Sequence, residues 1–242
     1  MEVQSIPLLN LALAFIPALI MVGIMFHWSL QAGNALYAMV RMLGQLLLIG
    51  YFLTYIFESD RAWVVLTVLG VMVVASSWIA LNNVGAERKP LYFFSLVSIL
   101  FAGGATLAII SAGVLQLEPW YQPRFLIPLA GMIFANSMNS VSLCAERLTA
   151  EMRRGDDWVT ARTTALQAGM IPMINSLFAV GLVSLPGMMT GQILSGVSPL
   201  IAARYQIMVM CMIFGSGGLA AVLFLQFSRS VFENRWSGKE SN

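Results

Sequence analysis

Seven stretches of this chain are each long and apolar enough to cross a bilayer, and that pattern limits its fold more than anything else in it. They cover residues 6–26, 36–57, 62–81, 91–115, 125–143, 171–194 and 206–227. A helix needs about 20 residues to traverse the hydrocarbon core. Helix is imposed, because lipid offers no partner to a backbone N–H or C=O. The alternating apolar–polar pattern of a membrane barrel strand is absent. Composition agrees: 59% of residues are apolar and 10% charged, against roughly 25% charged in a soluble domain. The reading is an all-α integral membrane protein, with seven transmembrane helices forming a single domain over residues 1–242.

Seven crossings put the two termini on opposite sides, and Lys and Arg choose which. With the N-terminus outside, the inner side receives Arg41, Arg88, Lys89, Arg147, Arg153, Arg154, Arg162, Arg229, Arg235 and Lys239. The outer side receives only Arg61, Arg124 and Arg204. The expected arrangement is N-terminus outside and C-terminus cytoplasmic. Ahead of the first run stands an acid, Glu2, and no base. That run also exceeds a signal core of roughly 7–15 residues, so it reads as an anchor that stays. Net charge is +2 and the bases are scattered, so no nucleic-acid partner is expected. Cys144 and Cys211 make no disulfide framework and read as small buried hydrophobes.

The fifth and sixth runs are separated by a hydrophilic wedge. Glu146, Arg147, Glu151, Arg153, Arg154, Asp156, Asp157 and Arg162 hold a third of the chain's charged residues. We read residues 144–170 as a cytoplasmic coupling segment. A helix over 145–154 stops at Gly155, and Asp156 or Asp157 caps the next helix. That second helix carries Trp158, Ala161 and Ala165 along one side. Candidate coupling residues are Glu146, Arg147, Glu151, Arg153, Arg154, Gly155, Asp156, Asp157 and Trp158.

Immediately afterwards the sixth run carries Gly181, Pro186, Gly187 and Gly191. Such Gly and Pro content kinks or breaks a helix, here at Pro186-Gly187. Discontinuous helices border binding sites in many transporters. Pro186, Gly187, Met188, Met189, Thr190 and Gln192 are therefore candidates for a translocation path. In the fifth run Asn136, Asn139 and Ser140 fall on one helical face. Asparagines at lipid depth either bond to neighbouring helices or line a polar path. In the second run Arg41 and Gln45 share a face. Arg41 either snorkels to the headgroups or pairs with an acid of the coupling segment.

Smaller features complete the pattern. Pro17 bends the first span. His27, the only histidine, sits at a boundary, as an interfacial residue or as a metal or proton site. Gly104, Ala108 and Ala112 are four apart, which lets helices approach closely in lipid. Trp120 and Tyr121 mark the outer interface. Glu58 and Asp60 occupy the outer turn between the second and third spans. Residues 228–242 read as a polar, frayed tail.

Much chemistry is missing. No span carries Asp or Glu near its middle, which argues against a proton-coupled pump. No GxxxxGK[ST] phosphate loop occurs. No Cys/His cluster suits zinc, and one boundary histidine makes no nucleophile–base pair. The remaining classes are a passive path and a permease powered from outside the chain.

Three stretches carry a resemblance: RMLGQLLLIGYFL (41–53), GMIFANSMNSVSLCAERL (131–148) and GLVSLPGMMTGQILSGVSPLIAARYQIMVM (181–210). Through them the chain resembles the FetB family of ABC-transporter permeases, which includes plant aluminium-sensitivity permeases. The resemblance runs from the first span to the last. It implies a half-size permease, paired as a homodimer with a separate FetA-like ATPase. ATP and Mg would then sit on that partner, with no cofactor in this chain and no enzyme activity of its own. It implies the bacterial inner membrane, and export of iron as an aid against oxidative stress. Plant relatives are linked to nucleotide-sugar transport instead. The family pattern marks Arg41, Gln45, Asn136, Asn139, Glu146, Arg147, Gly155, Asn175 and Pro186 through Gln192. The chain departs from it at Ala135, where glycine is usual, and at Asp156-Asp157, where a small residue is. The rival reading is a stand-alone channel or secondary carrier. The chain's 16 methionines are soft ligands that suit Cu(I) better than iron. They also serve as core filler, so they assign no metal.

Overall fold

A computed structural model describes residues 7–58 and 61–236. Glu2, Asp60, Lys239 and the last part of the tail lie outside the described residues. The described helices divide into two compact units, one ending at residue 59 and one from residue 60 onward.

The first unit holds α1 (Leu8–Leu13), α2 (Phe15–His27) and α3 (Ala32–Phe57). α1 and α2 are one span kinked at Ala14, which keeps a right-handed conformation. The cause is Pro17: it has no N–H for the carbonyl of Leu13, and its ring crowds that carbonyl. The expected bend is therefore present. Arg41 and Gln45 lie one turn apart on α3, and both are exposed.

The second unit holds α4 (Ala62–Ala80), α5 (Arg88–Ala108), α6 (Pro123–Arg154), α7 (Trp158–Ala179), α8 (Gly187–Leu194) and α9 (Pro199–Trp236). A 3-10 turn, Gly85–Glu87, leads into α5, and a π-helical turn, Ile109–Val114, extends it. α6 is the central helix, packed against α4, α5, α7 and α9. Its buried stripe includes Ile133, Ser137, Val141, Cys144 and Leu148, at spacings of three and four. That period is one face of an α-helix. In lipid this face gains little from burial as such, so close van der Waals packing must hold it. Gly103 provides such contact: a Cβ there would fall 2.7 Å from the Phe134 ring.

Several expectations need correction. Among the described residues six continuous helices have the length and hydropathy to cross a membrane, one fewer than the seven runs read from the sequence. The expected span over 171–194 is two pieces, because α7 stops at Ala179 and α8 starts at Gly187. The interruption is a turn of several residues rather than a kink at Pro186-Gly187. The separate helix over 145–154 is the end of α6, which runs unbroken to Arg154. At 1.5 Å per residue α6 is about 48 Å long, against about 30 Å of hydrocarbon. It is longer than a single crossing requires, and all its charges but Arg124 are gathered at one end. Gly104, Ala108 and Ala112 make no close approach; they line an apolar cleft with Leu66, Gly70 and Leu100. Successive residues on a helix point about 100° apart, so Gly103 meets α6 and Gly104 does not. Cys211 is exposed, and only Cys144 is buried. The tail is not frayed from residue 228, since α9 continues to Trp236 and Ser228 is buried.

Candidate functional site

The break between α7 and α8 follows from local sequence. Gly181 takes a left-handed φ of +83°, which costs glycine nothing. The carbonyl of Ala179 then accepts from the N–H groups of Leu182, Val183 and Ser184 at 3.2, 2.8 and 3.1 Å. Leu185 precedes a proline and so avoids the helical region. Pro186 is the N-cap of α8, a proline at a helix start where its missing N–H does no harm.

A cleft of about 360 Å³ opens at this break, bordered by α6, α7, α8 and α9. Asn136, Ser176, Ser184 and Gln206 give it polar lining, and Met132, Met188 and Met210 give it thioethers. Ala179, Val180, Pro186 and Gly187 bring the broken backbone to its wall. Gln206 is only 5% exposed, and its Oε1 has no hydrogen-bond partner. A second cleft of about 290 Å³ shares Met132 and Met188 with the first and reaches Arg124, Tyr205 and Met208.

Of the expected path residues, Asn136, Pro186, Gly187 and Met188 converge on the larger cleft. Ser140 lies beyond it, buried, one turn further along α6. Asn139 does not share that face: it is exposed, while Ser137 and Ser140 on either side are buried. Met189, Thr190 and Gln192 are on α8 but do not line the cleft, and the Thr190 hydroxyl donates to the Pro186 carbonyl at 3.2 Å.

Between the cleft and the charged end, three helices close tightly. A Cβ at Gly217 of α9 would stand 2.9 Å from both Ser140 Oγ and the Met173 methyl. A Cβ at Gly169 of α7 would stand 2.3 Å from Cys144 Sγ. The Cys144 thiol meets the Ala165 carbonyl at 3.4 Å. α6, α7 and α9 thus form one packed seam between the charged end and the cleft.

At the charged end Gly155 stops α6 with φ +93°. Asp157 caps α7, accepting from Val159 N–H at 2.9 Å and Thr160 N–H at 3.2 Å. Those bonds, with the Thr160 hydroxyl foremost, hold the Asp157 carboxyl below the usual carboxylate range. Asp156 is shifted the other way, chiefly by its hydrogen bond to Glu151. Glu151 is buried between Arg147 and Arg154, the latter at 3.4 Å. Trp158 is buried too, its ring 6.4 Å from Phe232. Glu151 and Trp158 therefore brace the tip from within. Glu146, Arg153, Arg154, Gly155 and Asp157 form its exposed face, with Arg147 and Asp156 half-buried.

Residues 8–232 match the profile of the uncharacterised protein family UPF0014. The chain belongs to the UPF0014 family. It is 36% identical to the UPF0014 membrane protein slr1647 of Synechocystis over 205 residues, covering 78% of this chain and 79% of that one. It is 31% identical to the probable iron export permease protein FetB of Escherichia coli over 216 residues, covering 83% and 82%. It is 34% identical to the rice UPF0014 membrane protein STAR2 over 207 residues, covering 79% and 71%. The resemblance read from the sequence is thereby borne out. No solved structure matches the chain.

For this UPF0014 membrane protein, sequence reasoning missed most of the cleft. Gln206, Met210 and Ile213 share one face of α9 at spacings of four and three, and all three line the cleft. A lone amide on an otherwise apolar face was the available signal. Ser176 and Ser184 gave none, because small hydroxyl residues occur throughout the membrane helices.

Proposed function

We propose that this UPF0014 protein is the membrane-spanning permease subunit of an ABC transporter. In this reading a separate FetA-like ATPase docks on the α6–α7 tip, two permeases pair as a homodimer, and the cargo is iron moved outward. α7 and α8 together make the seventh crossing, with the N-terminus outside and the tip in the cytoplasm. Both units serve one permease, in the plasma membrane of a bacterium, and the chain itself hydrolyses nothing.

One observation carries the reading: unbroken helices join an exposed charged tip to a polar cleft at a broken span. Coulombic docking suits a surface that presents Glu146, Arg153 and Asp157. The packed seam at Gly169 and Gly217 gives docking a mechanical route to the cleft. The name borne by the Escherichia coli relative supports both the permease role and the iron.

Reconstitution with the partner ATPase in liposomes tests this. ATP-driven iron movement is expected only when both subunits are present. Arg153→Glu leaves the Arg147–Glu151–Arg154 cluster intact and should uncouple hydrolysis from transport. Transport without any ATPase would favour a stand-alone channel or carrier and overturn the reading.

A further inference from the structure

The smaller cleft, of about 290 Å³, changes character along its length. On α6 it is lined by Arg124, Pro128 and Met132. These stand four residues apart and so form one row along the helix. At 1.5 Å per residue the row is about 12 Å long, against about 15 Å for the hydrocarbon of one leaflet. On α9 Tyr205 and Met208 run alongside. The two helices point the same way: Arg124 and Tyr205 share the cleft near their amino ends, and Gly217 meets Ser140 further along both. Arg124 and Tyr205 are the only polar residues of the lining; the rest is apolar or thioether.

Neither polar group is spent. Arg124 is exposed and makes no ion pair among the described residues. No acid lines the cleft, and Glu118, in the loop before α6, does not reach it. The hydroxyl of half-buried Tyr205 is engaged by no described residue. A guanidinium beside a phenol selects an anion with acceptor oxygens. A free anion would use that mouth and leave the apolar length unfilled. A hydrocarbon alone would fill the length and leave the cation unmatched. An amphiphile with an anionic head satisfies both.

We infer that this cleft is a binding site for one anionic phospholipid, whose phosphate takes Arg124 and Tyr205 and whose acyl chain lies along α6 as far as Met132. The lipid belongs to the leaflet away from the charged tip, because Arg124 and the tip are at opposite ends of α6. An interfacial arginine can snorkel to any headgroup. What distinguishes Arg124 is the groove that continues beneath it. Arg204 supplies the contrast: it precedes Tyr205 in the chain and is exposed, but it does not line the cleft. The far end of the acyl chain would meet Met132 and Met188, which also line the cleft at the break. A bound lipid therefore completes part of that cleft's wall. The inference is independent of the cargo and of the ATPase.

The test uses the full chain in phosphatidylcholine nanodiscs, titrated with a phosphatidylglycerol that carries a photoactivatable diazirine at mid-chain. Labelling should saturate at one lipid per chain and fall on residues 125–132 and 205–208, which border the groove. Arg124→Gln should weaken binding about fivefold, the worth of one interfacial cation on an anionic lipid. Tyr205→Phe should weaken it about threefold. Arg124→Lys should keep most of the affinity, which separates loss of charge from loss of fold. Arg204→Gln should change nothing. Unlabelled phosphatidylglycerol should compete, and inorganic phosphate should not. Labelling that never saturates, or that spreads evenly over the membrane-facing helices, overturns the inference. So does an equal loss in Arg204→Gln, or equal labelling by a diazirine phosphatidylcholine. Competition by inorganic phosphate as strong as by the lipid would make this a free-anion site and overturn it as well.

Discussion

The chain turns back on itself at two glycines of left-handed φ, Gly155 at +93° and Gly181 at +83°, and the two turns are built in opposite ways. At the α6–α7 tip a side-chain cap, a buried carboxylate between two arginines and a buried tryptophan hold the turn from behind. At the α7–α8 break backbone bonds shape the turn, joined only by the Thr190 hydroxyl on the Leu185 and Pro186 carbonyls, and Leu182 and Val183 are 90% and 84% exposed. The same backbone device is braced from behind in one place and left unbraced in the other. What differs is the packing behind the glycine. In the proposed permease, a braced tip would pass force on to the unbraced break.

The sharpest way to break this contrast is to remove the brace. Trp158→Ala should cost about 3–5 kcal/mol of stability, the usual loss for a buried aromatic, in a denaturant titration in detergent. A loss no larger than that of a surface substitution would show that the tip is not stiff. Next comes the seam that joins tip to joint. Gly169→Ala should cost about 1–3 kcal/mol through overpacking, and adding Cys144→Ala should restore part of it, because Cys144 Sγ is the atom in the way. Failure of that rescue would put the strain elsewhere.

A smaller effect should follow pH at the tip. The Asp157 carboxyl is depressed, so its cap stabilises fully above the ordinary carboxylate range and is lost as pH falls through that range and below it. The Asp156 carboxyl is raised, so it works in the opposite sense. Acidification toward the top of the carboxylate range should first protonate Asp156 and ease its crowding with Glu151. Hydrogen exchange over residues 155–160 should therefore slow slightly on mild acidification and quicken at lower pH. Monotonic behaviour would break the assignment. Smallest of all is Leu182→Ala at the joint, expected to stay within about 0.5 kcal/mol. A large loss there would mean that the joint is braced as firmly as the tip.

Much of the architecture was legible because lipid enforces it. Apolar runs had to be helices, Gly155 had to stop one, and Asp157 was chemically suited to start the next. The site was legible only in part. Asn136 and Asn139 look equivalent in the sequence, yet one lines the cleft and the other is exposed. Glu151 and Arg153 look alike as charges, yet one is buried between arginines and the other faces outward. Gly104 looked like the contact residue, and its neighbour Gly103 makes the contact. Each distinction turns on about 100° of rotation around a helix, which depends on what stands opposite.

By itself the sequence determined that this chain lives in lipid as helices, carries a charged tip between two of them, and breaks one near a proline. Those follow from backbone hydrogen bonding, hydropathy and the conformational limits of Gly and Pro, all of which act locally. Only the tertiary structure decided that the break lies beside Gln206, and that Glu151 and Trp158 support the tip from inside. Such outcomes depend on which helix faces meet across tens of residues of chain, and packing, not local preference, selects those faces.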